Sequence, residues 1–432
     1  MRLFMLVNPL VMYAVARGLR QEASFILAGL SDAEDKSLHP MSASRYVDAG
    51  VWVPPVPQQE WLIDVDCITA PVQEWVSHIQ SLCKVFDIDT ILPANDHDQF
   101  FLTLAQEQFS TLGITVLGPS HHSVRRMNDK YQLMQDAQSV GISVPWTALA
   151  SQSEVLGKVS RTFPVVLKRR FSQGASEVSY FESSDELRSR IKEISSREPS
   201  SNWIVQEYIP GRIEPSCTVF ASGSSVFLSA FHIKHRYMAP SASTAVEVVM
   251  PFIPETSLHS LVKILDFGGV GGLQFKLDCR DGAVKLIEAN ARMGQNTRLV
   301  LPLVEAAGYD PSKVLLAALE NEIHEKFSLR VGDISVSPWD DLVCIWVHIN
   351  LRGRANRVDN SRPRLSLFIR QILASYSGRR VYLDYISRSL FTDTRAVLRF
   401  FARLFARCHN PEPVPWSGSE RRHPIRYVQD VA

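Results

Sequence analysis

Hydrophobic and polar positions alternate with a period of two over Gln274–Leu277 and again over Leu286–Ala291, and a polar stretch closed by Asp281–Gly282 separates the two runs. This predicts a β-hairpin. Residues two apart on a strand share a face, so Glu288, Asn290 and Arg292 fall on one side, with Gln274 on the paired strand. Phe163–Leu167 reads as a short buried strand ending on Lys168, followed by small residues at Ser172–Ser176 and a strand at Val178–Phe181. Around His232–Arg236 the same alternation puts His232, Lys234 and Arg236 on one face. Near the start, strand-like Leu3–Val7, a helix to about Arg20 and a strand at Ser24–Ala28 follow one another. Thr90–Pro93, a helix over Asp98–Gln108 and Ile114–Gly118 extend the alternation. The expected fold class is α/β and α+β, with a doubly wound N-terminal domain.

The hairpin carries the candidate chemistry. An amide, a carboxylate and a second amide (Gln274, Glu288, Asn290) are hard oxygen ligands suited to Mg²⁺, or Mn²⁺, which completes its shell with water and substrate phosphates. Arg292 on the same side would neutralise phosphoryl charge.

These residues resemble the metal-and-phosphate strands of the ATP-grasp superfamily, in its carbamoyl phosphate synthetase-like, carboxylate–amine ligase form. The resemblance implies ATP as cofactor and roles for further residues. Lys130, at the start of a helix that ends before Gly141, and Lys168 would hold the nucleotide phosphates, with the Gly174 loop folding over them. Trp203–Gly211 resembles the hinge between the two clasping subdomains, where Gln206, Glu207 and Ile209 would meet adenine, and Glu214 the ribose. Lys234 or Arg236 would contact an acyl phosphate. The loop after them is usually glycine-rich, whereas here it is Ser241–Ala242–Ser243–Thr244. Gly294–Gln295–Asn296 would offer donors to a substrate carboxylate. Ser44–Arg45–Tyr46–Val47–Asp48 resembles a phrase often seen in the family's first domain, and Asp96 falls where a polar residue often faces the substrate cleft, but plain loop roles are the preferred reading for both.

Composition narrows the classes. Of 432 residues, 45% are hydrophobic and 21% charged, and the net charge is +1, which argues against nucleic-acid binding by bulk electrostatics. The six cysteines are scattered without a Cys-x-x-Cys pair, so neither a zinc site nor a disulfide framework is indicated, and a cytoplasmic setting fits. Asn8–Pro9, Arg17 and Arg20 interrupt what would otherwise suggest a signal peptide. The first strand-to-helix turn lacks the glycines of a dinucleotide site, which excludes a dehydrogenase of that type. Residues 341–432 hold sixteen arginines, no lysine and seven acids. Leu398–Arg407 repeats arginine along an apolar helix face, which allows either peripheral membrane contact or packing on a C-terminal domain.

The expected organisation is an N-terminal α/β domain at 1–120, an ATP-grasp region at 121–330 with subdomains at about 145–210 and 211–320, and an arginine-rich extension at 331–432. The expected activity is ATP-dependent joining of a small-molecule carboxylate, amino acids included, to an amine through an acyl phosphate. A kinase of the same fold and a non-catalytic ATP-binding protein are the alternatives. Homo-oligomerisation is open.

Overall fold

The computed structural model describes residues 1–6, 9–30, 46–57, 68–152, 163–172, 177–211, 213–235, 245–248, 251–294 and 309–321, together with Thr297, Val300, Leu301 and Val304. The Gly174 loop, Arg236, residues 241–244, Gln295, Asn296 and the whole arginine-rich extension lie outside the described residues.

The first sheet contains β1 (Arg2–Leu6), β2 (Phe25–Leu30), β3 (Ala49–Trp52), β4 (Thr90–Leu92) and β5 (Thr115–Val116), all parallel, in the order β3-β2-β1-β4-β5. Helices α1 (Pro9–Leu19), α2 (Ala70–Val85), α3 (Asp96–Leu104) and α4 (Gln106–Ser110) connect them. Leu3, Phe4, Met5, Leu27 and Ala28 are fully buried, as strands covered on both faces require. The helix expected over Asp98–Gln108 is two helices, because Ala105, at φ −90° and ψ 9°, leaves helical geometry between them. β3 and α2 were not foreseen: β3 has only four half-exposed residues, too few for a periodic signal.

The second sheet is antiparallel: β6 (Thr147–Leu149), β7 (Val165–Arg169), β8 (Val178–Phe181) and β9 (Trp203–Glu207), in the order β6-β9-β7-β8. Val165, Leu167 and Val205 turn to one face, where Leu187 and Ile194 of α7 (Ser184–Ser195) complete a core of its own. Lys168 lies on the opposite face, since neighbours along a strand alternate.

The third sheet has β10 (Glu214–Ser222), β11 (Ser225–His235), β12 (Ala245–Val248), β13 (Gly269–Leu277) and β14 (Val284–Asn290), in the order β12-β11-β10-β13-β14. Helices α5 (His121–Asn128) and α6 (Lys130–Ser139) lie against β14, and α8 (Glu255–Ile264) against β11. One continuous hydrophobic core joins this sheet to the first. α9 (Pro311–Leu319) closes the junction: the Leu319 carbonyl accepts from Gly118 N at 2.9 Å, and Leu315 packs so tightly on α1 that a Cβ at Gly18 would sit 3.3 Å from it. Among the described residues no helix is long and apolar enough to cross a membrane.

Candidate active site

The hairpin forms as its alternation predicts. β13 and β14 pair antiparallel with Gln274 opposite Glu288, and Asn290 lies opposite Gly272. A bulge after Gln274 inserts one extra residue on β14, so Phe275 faces Leu286 and both are fully buried. The row continues across the sheet through Ser216 and His232, both buried, which places Gln274, Glu288 and His232 on one face. Lys234 is paired with Glu214. A Cβ added at Gly272 would meet nothing within 4 Å, so open space faces the Asn290 side of the ligand set. Among the described residues no group of three or more His, Cys, Asp or Glu side chains is placed to hold a metal ion. A cation at this hairpin would therefore rest on one carboxylate and two amides, with most of its shell left to water and phosphate oxygens. That donor set fits Mg²⁺ bound together with a polyphosphate.

Two buried ammonium groups stand over this hairpin. Asp129 caps α6 by accepting from Tyr131 N and Gln132 N, and the same carboxylate holds Arg170 at the end of β7, with Arg170 Nε donating at 2.9 Å. This clamp turns Lys130 inward rather than to solvent, leaving it 5% exposed. Its Nζ donates to the Ser172 carbonyl at 2.8 Å, so Lys130 anchors the start of the segment leading to Gly174. Burial pushes the Lys130 ammonium below the usual lysine range, opposed by the nearby Glu288 and Asp96 carboxylates. Lys168, 8% exposed, is pushed down to about 8 by burial and by repulsion from Lys130, with Glu288 opposing. Two like charges held out of water beside one shared carboxylate favour an anion bound between them.

Arg292 lies just past β14, where its Nη2 donates to Asn290 Oδ1 at 3.3 Å and stands 2.7 Å from Asp96 Oδ2. The loop reading of Asp96 is thus corrected: this residue opens α3, which follows β4 of the first sheet, is 3% exposed and faces Arg292. The signal missed in the sequence is that a carboxylate following a parallel strand points into the crevice where such sheets bind ligands. Asp48 keeps its structural role, accepting from Arg20 Nη1 at 2.5 Å and Ile26 N at 2.8 Å.

The hinge shows which of its groups are already engaged. Gly211 has φ +125°, and a Cβ there would lie 2.5 Å from the Leu277 carbonyl, so only glycine fits this crossing from β9 to β10. Gln206 is buried with its amide nitrogen donating to Thr147 Oγ1 at 2.9 Å. The Glu207 carboxylate accepts from Arg280 at 2.5 Å and Lys285 at 3.5 Å, and both cations also bind the fully buried Asp278. These cations hold the Asp278 carboxyl well below the usual carboxylate range, Arg280 foremost, against the effect of its burial. Glu207 is therefore part of a clasp between β9 and the β13–β14 turn, and its backbone N–H donates to the Trp146 carbonyl at 2.8 Å. Lys276, which the sequence reading passed over, donates to the Ile209 carbonyl at 3.0 Å and lies 5.4 Å from the Tyr208 ring centroid. It sits two residues past Gln274 on the site face, a position that alternation alone would have flagged.

No protein-family model matches the chain. Over 195 residues it is 26% identical to the carbamoyl phosphate synthase large chain of Hyperthermus butylicus, a match covering 43% of this chain and 18% of that one. A carbamoyl-phosphate synthase of Methanobrevibacter smithii is 20% identical over 264 residues, covering 59% of this chain and 67% of that protein. The chain thus spans about a fifth of the large chains it matches. Among solved structures, the biotin carboxylase domain dimer of Hydrogenobacter thermophilus 2-oxoglutarate carboxylase, in complex with MgADP, ADP and bicarbonate, superposes with a TM-score of 0.58 at 14% identity over 78% of this chain and 72% of that one. The N5-carboxyaminoimidazole synthetase of Staphylococcus aureus gives 0.52 at 13% identity, over 75% and 78%.

Proposed function

We propose, from the ATP-grasp fold this chain carries, that it is an ATP-dependent ligase joining a small-molecule carboxylate to an amine, with Mg²⁺ as its metal. One observation carries the reading: Lys130 and Lys168 are buried together over a hairpin of hard oxygen ligands, an arrangement that calls for a polyphosphate. The division at about residues 120 and 330, and the roles of Gly174, Lys234 and Glu214, belong to this proposal.

A substrate carboxylate oxygen forms a bond to the γ-phosphorus of ATP while the β–γ bridging bond breaks, giving an acyl phosphate and ADP. The amine nitrogen then bonds to the acyl carbon, phosphate leaves with the C–O bond electrons, and the nitrogen loses a proton. Lys168 counters negative charge on the phosphates, and Lys130 holds the Ser172 carbonyl. Arg292 neutralises the transferring phosphoryl oxygens. Gln274, Glu288 and Asn290 would hold the metal, which supplies further neutralisation of the phosphate charge.

Transfer to a hydroxyl would need a base, and Asp278, the carboxylate at the hairpin turn, is committed to Arg280 and Lys285. A carboxylate nucleophile is ionised near neutral pH and needs none. The test is to incubate the protein with Mg-ATP, hydroxylamine and a panel of carboxylic acids, amino acids included. A hydroxamate with ADP release from one acid, abolished in Glu288→Gln, supports the ligase. A stable phosphate ester without hydroxamate would make it a kinase of the same fold.

A further inference from the structure

The first sheet contributes a group to the phosphoryl site that the reaction above does not use. Its strand order reverses at β1, with β2 on one side and β4 on the other, so the crevice beyond the carboxyl ends of β1 and β4 is where a doubly wound sheet receives a ligand. Asp96 follows β4 there. It is 3% exposed, and neither carboxylate oxygen receives a hydrogen bond of acceptable geometry among the described residues. Its one ion-pair contact among the described residues, Arg292 Nη2 at 2.7 Å, is off hydrogen-bonding alignment, Lys130 acts on it only at longer range, and Arg292 Nε is likewise buried without a partner. The neighbouring His97 adds no charge, since burial lowers it to about 4 and leaves it neutral near pH 7. A buried anion and a buried cation that touch without satisfying each other are poised for exchange.

Resting on the ligase reading, we propose that Asp96 binds the protonated amine co-substrate, and that until the amine arrives it holds Arg292 away from full engagement with the phosphates. An ammonium carries three donors on a compact charge and can satisfy both oxygens of a carboxylate that a misaligned guanidinium does not. Its arrival would release Arg292 to the phosphoryl group, so that acyl phosphate forms only when its acceptor is present. The ammonium then gives one proton to water to expose its lone pair, and a second once the C–N bond has formed. The co-substrate is thus a primary amine or ammonia rather than a neutral amide.

The test is calorimetric binding of ATPγS with Mg²⁺ to the full chain. Asp96→Asn should bind at least about three-fold tighter than wild type, and Arg292→Gln combined with it should erase the gain, the mark of a coupled pair. Ammonium chloride, against sodium chloride at equal ionic strength, should tighten binding to wild type and leave Asp96→Asn unchanged. That comparison needs no variant for its first half and so survives a variant that does not fold. Unchanged or weaker binding by folded Asp96→Asn, or no ammonium effect on wild type, would overturn the proposal. Failure of wild type to bind ATPγS at all would instead remove the ligase reading on which it stands.

Discussion

Lys168 sets stability against function within one side chain. Its ammonium, lowered from 10.5 to about 8, is charged in the unfolded chain throughout that interval but loses its proton in the folded one. The folded state therefore binds fewer protons between pH 8 and 10.5, and stability rises with pH there. Below pH 8 the buried charge costs its full amount, on the order of 3 kcal/mol by that shift. Lys168→Met should accordingly raise the melting temperature of the nucleotide-free protein at pH 7 while weakening Mg-ADP binding by at least tenfold. A lower melting temperature at pH 7 would refute the charge-burial account. In wild type, affinity for Mg-ADP should fall as pH climbs past 8, and calorimetry in buffers of different ionisation enthalpy should register proton uptake. The lysine was legible as a strand-ending residue, but its repulsion from Lys130 was not: that depends on Asp129 and Arg170, 41 residues apart, clamping α6 to β7.

At the scale of elements, the β13–β14 hairpin was readable because alternation and the Asp-Gly turn are local signals. Its bulge was not, since the extra β14 residue shows only against the partner strand. The clasp of Glu207, Asp278, Arg280 and Lys285 was invisible for the same reason, being assembled from the hinge and the hairpin turn. Because Asp278 is depressed in the folded state, its contribution is complete above the unfolded carboxyl pKa near 4 and is lost as pH falls through its lower folded value. Asp278→Asn should therefore be less stable than wild type at pH 7, with the gap narrowing as pH falls below about 4. A gap independent of pH would argue against the ion pairs. Gly211→Ala places a methyl 2.5 Å from a backbone oxygen at φ +125°, so a loss of roughly 2 kcal/mol or more is expected. Urea unfolding would measure it, and a neutral result would deny the tight crossing.

Across the whole molecule, two cores divide the work: one shared by the first and third sheets, one belonging to the second sheet and α7. If the second sheet closes on nucleotide, Mg-ADP should slow amide exchange at 165–169, 178–181 and 203–207 while leaving 2–6 and 25–30 unchanged. Protection confined to the first sheet would overturn the nucleotide placement. The α/β class of the first sheet followed from the strand–helix alternation, whereas its strand order and the merging of its core with the third sheet did not, because β3 is too short to read and α9 seals the core from the far end of the described chain. That arrangement has a kinetic consequence. The second sheet lies between α6 and β10 in sequence and pairs only within 147–207, so it can form from nearby chain. The larger core interrupts itself: Gly118 N waits for the Leu319 carbonyl, and Ser143 O for Leu286 N. During synthesis, the inserted unit should be able to acquire protease resistance early, while the flanking halves stay open until about 200 more residues have emerged between Gly118 and its partner.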